Sequence, residues 1–175
     1  MKKTLKQFTQ TESSKRFSVN LSKQYYSCFI SYSAKDKAFA DLLYKDLTEI
    51  GVPCWLDSME MRIGENIESS LHRSIQEQDI MILILSQNSI SSKWISKELS
   101  VSLKLEQNRG KTILFPIRID DSIFKESLPS PLNLVISRHI GDFTNWKNDR
   151  DYRKSFSHMV RDLMTISSAE SKGNI

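Results

Sequence analysis

The sequence predicts an α/β fold, a five-stranded parallel sheet with helices on both faces. Two observations predict it. Short apolar segments alternate with longer amphipathic ones from Tyr26 to Leu163, as β-α repetition requires. One apolar segment, Ile80 to Leu85, is unbroken, the mark of a strand covered on both faces. The 175 residues suffice for one domain with a single core. Right-handed crossovers then suggest a flavodoxin-like strand order, 2-1-3-4-5.

The elements follow in order. Ser27 to Ser31 is a short apolar strand. Ser33 sits at an N-cap position with Asp36 three residues on. Phe39, Leu42, Leu43, Leu47 and Ile50 recur at helical spacing, and Gly51 closes that helix. Val52 to Leu56 is the second strand, with Pro53 tolerated at its start. A polar loop follows, Asp57 to Glu65. Asn66 then caps a helix whose inner face is Ile67, Leu71 and Ile75. After the third strand, 80–85, come a loop (86–93), a helix (94–107) and a fourth strand (112–119). The connection 120–134 carries Pro129 and Pro131 and leads to a short fifth strand, Val135 to Ile140. Tyr152, Phe156, Met159, Val160 and Leu163 mark the last helix, and a small, polar tail begins at Ser167.

Charge is uneven. Residues 1–24 hold six basic side chains against Glu12, a net of +5, which leaves the rest of this +4 chain at −1. The arm 1–24 reads as disordered, and the basic balance belongs to it rather than to a nucleic-acid-binding face. No apolar run approaches the roughly 18 residues of a membrane span. No apolar region follows Met1-Lys2-Lys3, as a secretory signal would need. The expected compartment is the cytoplasm, with Cys28 and Cys54 as reduced core thiols. His72, His139 and His158 are scattered and unpaired with cysteine, so no metal site is expected.

In a 2-1-3-4-5 sheet the carboxyl ends of strands 1 and 3 flank the switch point where ligands bind. A receiver-type phosphoacceptor would need an aspartate ending strand 3, and Ser86 stands there. Neither a Walker A motif nor G-x-G-x-x-G occurs. Trp94 and Glu98 lie four residues apart at the start of a helix leaving that end of the sheet, on one helical face. A carboxylate beside an aromatic plane suits a flat cationic leaving group and a sugar cation.

These residues carry a resemblance. Phe29-Ile30-Ser31-Tyr32-Ser33 with Asp36 is similar to the first box of TIR domains. Gly51 to Asp57 followed by Gly64 resembles their second strand and BB loop. Ser92-Lys93-Trp94-Ile95-Ser96-Lys97-Glu98-Leu99 resembles their S-x-W-x-x-x-E-L segment, and Asp142-Phe143 with Trp146 their last box. The resemblance covers 25–166, between the arm and a flexible tail, 167–175.

The resemblance implies one of two functions. Many TIR domains cleave the bond between nicotinamide and ribose in NAD+, and others are adaptors or interference proteins that only assemble. For the first group it implies that Glu98 is catalytic, with Tyr32, Ser33, Ala34, Arg62 and Trp94 lining or shaping the pocket. NAD+ is then the substrate, and neither cofactor nor metal is required. In one branch of the family a basic pair follows the tyrosine of the first box. Ser33 and Ala34 stand there in this chain, so helix amides would have to meet the pyrophosphate. Trp94 can equally be a packing residue, Arg62 an exposed one and Ser33 a plain cap. Met59, Met61 and Ile63 in the 58–65 loop suggest a surface buried on assembly with other TIR domains. The resemblance further implies immune defence, for example against phage, triggered through a separate sensor or effector protein, with neither nucleic acid nor membrane as partner.

Overall fold

The structure is a computed structural model that describes residues 27–58, 79–91, 93–125, 128 and 130–170. The basic arm, the loop segment from Met59, Arg62 and the helix expected after Asn66 lie outside the described residues.

The strands are β1 (Cys28–Tyr32), β2 (Cys54–Ser58), β3 (Ile80–Leu85), β4 (Leu114–Arg118) and β5 (Gly141–Asp142). They form one parallel sheet in the order β2-β1-β3-β4-β5, as expected. The helices are α1 (Lys37–Glu49), α2 (Gln87–Ile90), α3 (Lys93–Arg109), α4 (Leu132–Val135) and α5 (Asp149–Glu170), with 3-10 turns at Ala34–Asp36 and Ser122–Phe124.

Strand alternation divides the core into two layers. Cys28, Ile30, Tyr32, Ile82 and Ile84 face α1 and α5, meeting Phe39, Leu43, Leu47, Met159 and Leu163. Phe29, Met81, Leu83 and Leu85 face α3, meeting Ile95 and Leu99. β3 is buried along its whole length, as its unbroken apolar run demands. In the first layer Phe39 packs edge-on against Phe143 and Trp146, each ring centroid 5.4 Å away. The late aromatic box is therefore core packing, set by preferred ring geometry.

α1 ends as its sequence requires. Gly51 adopts φ +86, its N–H donates to the Thr48 carbonyl, and Val52 donates to Leu47. This pair of bonds is a Schellman motif, which favours glycine at its left-handed position.

Four expectations are corrected. The fifth strand is not Val135 to Ile140. Leu132 and Val135 are buried one helical turn apart in α4, and only Gly141–Asp142 pairs with β4. The close approach of β5 explains Gly141, where a Cβ would come within 2.9 Å of Ile117 Cγ2. The loop after Ser86 contains a helical turn, α2, which is too short to show periodicity in sequence. Ser33 does not cap the long helix. It precedes a 3-10 turn and makes no side-chain cap bond, while α1 begins four residues later, at Lys37, behind Asp36. α5 also runs to Glu170, past the expected start of the tail.

Candidate functional site

The site is built where β1 and β3 end and α3 begins. β1 is flanked by β2 and β3, and Ser31 stands in register with Asp57 and Leu83. Alternation turns Ser31 toward α3, the same side as Phe29. There its hydroxyl donates a hydrogen bond to Glu98 Oε2, joining residues 67 positions apart. Both side chains are enclosed, Ser31 at 0% and Glu98 at 3% exposure. The Glu98 carbonyl accepts the Ser102 hydroxyl at 2.8 Å. A carboxylate is thus held inside the carboxyl-end layer of an open α/β sheet, the end at which such sheets bind ligands.

A second tie joins the loops at the switch point. Asp36, also buried, accepts the Ser86 hydroxyl at 2.5 Å and the Asn88 side-chain amide at 2.7 Å. Ser86 in turn caps α2 through a reciprocal capping box with Ser89. Asp120 extends the lacing to the loop after β4, accepting the backbone N–H groups of Gln87 and Ser122, each at 2.9 Å. Burial pushes the Asp120 carboxyl up, but the Ser122 hydroxyl and these amides outweigh it and hold it below its ordinary value.

The sequence-predicted residues are not all brought together. Glu98 is at the centre. Ser33 and Ala34 are half-buried just beyond the end of β1. Tyr32 points the other way, into the layer with Phe39 and Leu43. Trp94 lies in the first turn of α3, with its side chain outside the described residues, as is all of Arg62. Two residues that spacing arguments passed over, Ser31 and Asp36 as an inter-loop tie, make the buried polar contacts. The signal for Ser31 was available: a hydroxyl in an otherwise apolar strand segment needs a partner.

A cavity of about 790 Å³ lies elsewhere, between β4, β5 and α5, lined in part by Phe115, Ile140, Lys154 and His158. It contains none of the predicted site residues. Among the described residues no cluster of three or more His, Cys, Asp or Glu could hold a metal, and no helix is long and apolar enough to cross a membrane. Cys28 and Cys54 are register partners on β1 and β2 and are not disulfide-bonded.

The family model for the TIR domain matches residues 28–160. The chain is 30% identical over 125 residues to the 2' cyclic ADP-D-ribose synthase BtTIR of Bacteroides thetaiotaomicron, covering 67% of this chain and 42% of that protein. It is 28% identical over 94 residues to the NAD(+) hydrolase TcpC of Escherichia coli O6:H1 strain CFT073, covering 53% and 31%. It thus spans less than half the length of either relative. Among solved structures it is similar to the TIR domain of the Toll-related receptor TRR-2 from Hydra magnipapillata. The TM-score is 0.59 at 17% identity, covering 79% of this chain and 98% of that one. The RPS4 and RRS1 TIR domain heterodimer gives 0.56 at 15%, covering 80% and 96%. At those identities the structural likeness speaks for the fold.

Proposed function

This chain belongs to the TIR-domain family, and from that premise we propose that it cleaves NAD+ between nicotinamide and ribose, with Glu98 as the catalytic residue. The observation that carries the reading is the buried Glu98 carboxylate, bonded to Ser31 at the carboxyl end of the sheet, where open α/β sheets bind ligands. Bacterial relatives named as an NAD(+) hydrolase and a 2' cyclic ADP-D-ribose synthase support it.

The chemistry fits one carboxylate. As the C1′–N1 bond breaks, its electron pair moves onto the pyridinium nitrogen, so nicotinamide leaves neutral and little acid catalysis is needed. Positive charge develops on the ribose, as in glycoside hydrolysis. A carboxylate fixed beside C1′ stabilises that charge most effectively away from bulk water. Water adding to C1′ gives ADP-ribose and releases a proton, while a hydroxyl of the same molecule gives a cyclic isomer. Ser33 and Ala34 would border the ribose side of the cleft, with Trp94 and Arg62 shaping the remainder. Tyr32 would act from behind, through the packing that fixes the end of β1.

The proposed setting is a cytoplasmic defence protein that works in assemblies with other TIR domains through its 58–65 loop, under a separate sensor. The TIR heterodimer among its structural relatives supports the assembly part. The test is incubation of concentrated protein with NAD+, with products resolved by chromatography and Glu98→Ala as control. Nicotinamide accompanied by ADP-ribose or a cyclic isomer, absent from the control, is the expected result. Equal, background-level nicotinamide from both proteins would leave the adaptor reading in its place.

A further inference from the structure

Ser31 is a hydroxyl in the wrong company. Its strand neighbours Phe29 and Ile30 are apolar and buried, and the helix it faces presents Ile95 and Leu99. A fully enclosed hydroxyl without a partner is unfavourable, and a buried carboxylate without donors far more so. The bond from Ser31 Oγ to Glu98 Oε2 gives the hydroxyl an acceptor and the carboxylate a donor.

The two ends of this bond differ in rigidity. Ser31 has one side-chain torsion and sits on a strand paired on both sides. Glu98 has three torsions and extends from a helix. Anchoring the flexible group to the rigid one restricts where Oε2, and with it the carboxylate, can point. Orientation of this kind matters for rate, because a misplacement of about 1 Å at the reacting centre can cost on the order of 100-fold.

We propose that Ser31 is the positioning residue of the site: its hydroxyl fixes the plane and direction of the Glu98 carboxylate toward the ribose C1′ without itself contacting substrate. This rests on the reading of Glu98 as the catalytic carboxylate for NAD+ cleavage. Ser31 acts on the rate of bond breaking and not on substrate affinity, since its partner is the carboxylate and not the nucleotide.

The experiment measures nicotinamide release by the full chain at saturating and limiting NAD+, for wild type, Glu98→Ala, Ser31→Ala and Ser31→Thr, with an unfolding curve for each. Ser31→Ala is expected to lower kcat by about 10- to 100-fold while KM stays within about threefold. Ser31→Thr keeps the hydroxyl and is expected to recover most of kcat. Should its extra methyl unfold the protein, Ser31→Cys replaces it as a volume-conserving weak donor, with kcat expected between the alanine variant and wild type. Wild-type activity that depends on Glu98, with kcat unchanged in Ser31→Ala, overturns the proposal and leaves the reading of Glu98 intact. A rise in KM at constant kcat also overturns it, because Ser31 would then be a substrate contact. If wild type releases no more nicotinamide than Glu98→Ala, the reading of Glu98 itself fails and the proposal with it.

Discussion

Two glutamates on α3, Glu98 and Glu106, are both largely buried, and they are surrounded in opposite ways. Eight residues of helix separate them by about 12 Å along the axis, enough to put them at opposite ends of the sheet. Glu106 reaches the amino end of β4. Its Oε1 accepts the N–H groups of Ile113 and Leu114 at 2.9 and 2.8 Å, and Arg138 grips both of its oxygens, at 2.9 and 2.5 Å. Burial raises its pKa, but Arg138 and the two amides outweigh burial and hold it below the usual carboxylate range. That is a staple, closing the chain between α3, β4 and the segment after α4. Glu98 instead accepts the neutral hydroxyl of Ser31, at the carboxyl end of the sheet, the end at which open α/β sheets bind ligands. A carboxylate clamped by a guanidinium and two amides is locked into structure. One oriented by a hydroxyl is suited to a charge that develops only during reaction.

The largest effect that separates them is kinetic. Glu98→Gln is expected to reduce nicotinamide release by about 100- to 1000-fold, while its urea-unfolding midpoint stays close to wild type, because the amide oxygen can still accept the Ser31 hydroxyl. A midpoint that falls substantially would make Glu98 a second staple and erase the contrast.

The next effect is on stability. Glu106→Gln removes the charged half of a largely buried ion pair and is expected to destabilise the fold by about 1–3 kcal/mol, measured by urea unfolding. Its kcat per folded molecule should stay within about twofold.

The pH dependence sharpens the same contrast. Because Glu106 has a depressed pKa in the folded state, its contribution is fully present above the unfolded value of about 4.3 and is lost as pH falls through the folded value. Asp120 and Asp142 are shifted in the same direction and share this acid limb. The check is therefore the difference between wild type and Glu106→Gln, which should shrink as pH drops below about 4. A constant difference across that range would mean that the carboxylate charge is irrelevant to the staple.

The smallest effect concerns the tie between the cleft loops. Asp36→Asn retains one acceptor but loses the charge that receives Ser86 and Asn88. A loss of about 0.5–1.5 kcal/mol is expected in the same unfolding assay, with Glu98-dependent activity retained.

Much of this contrast was legible in the residues. The apolar run of β3, the glycine stop at Gly51 and the position of Glu98 on a helix leaving the sheet all express local periodicity or capping, which spacing records. The misses are of two kinds. α2 and α4 are single turns, too short for a period to show, so Leu132 passed as part of a connection and Val135 as the start of a strand. Ser31 with Glu98, and Asp36 with Ser86, are bonds between residues 67 and 50 positions apart. No local pattern encodes such pairs. They follow only once the sheet order brings β1 beside β3 and α3 over both.

The most direct test places the two glutamates side by side. Nicotinamide released from NAD+ is measured for wild type, Glu98→Gln and Glu106→Gln at equal folded concentration and high total protein. Near-complete loss is expected in Glu98→Gln and wild-type rates in Glu106→Gln. Equal rates in all three proteins would show that Glu98 does not carry the reaction.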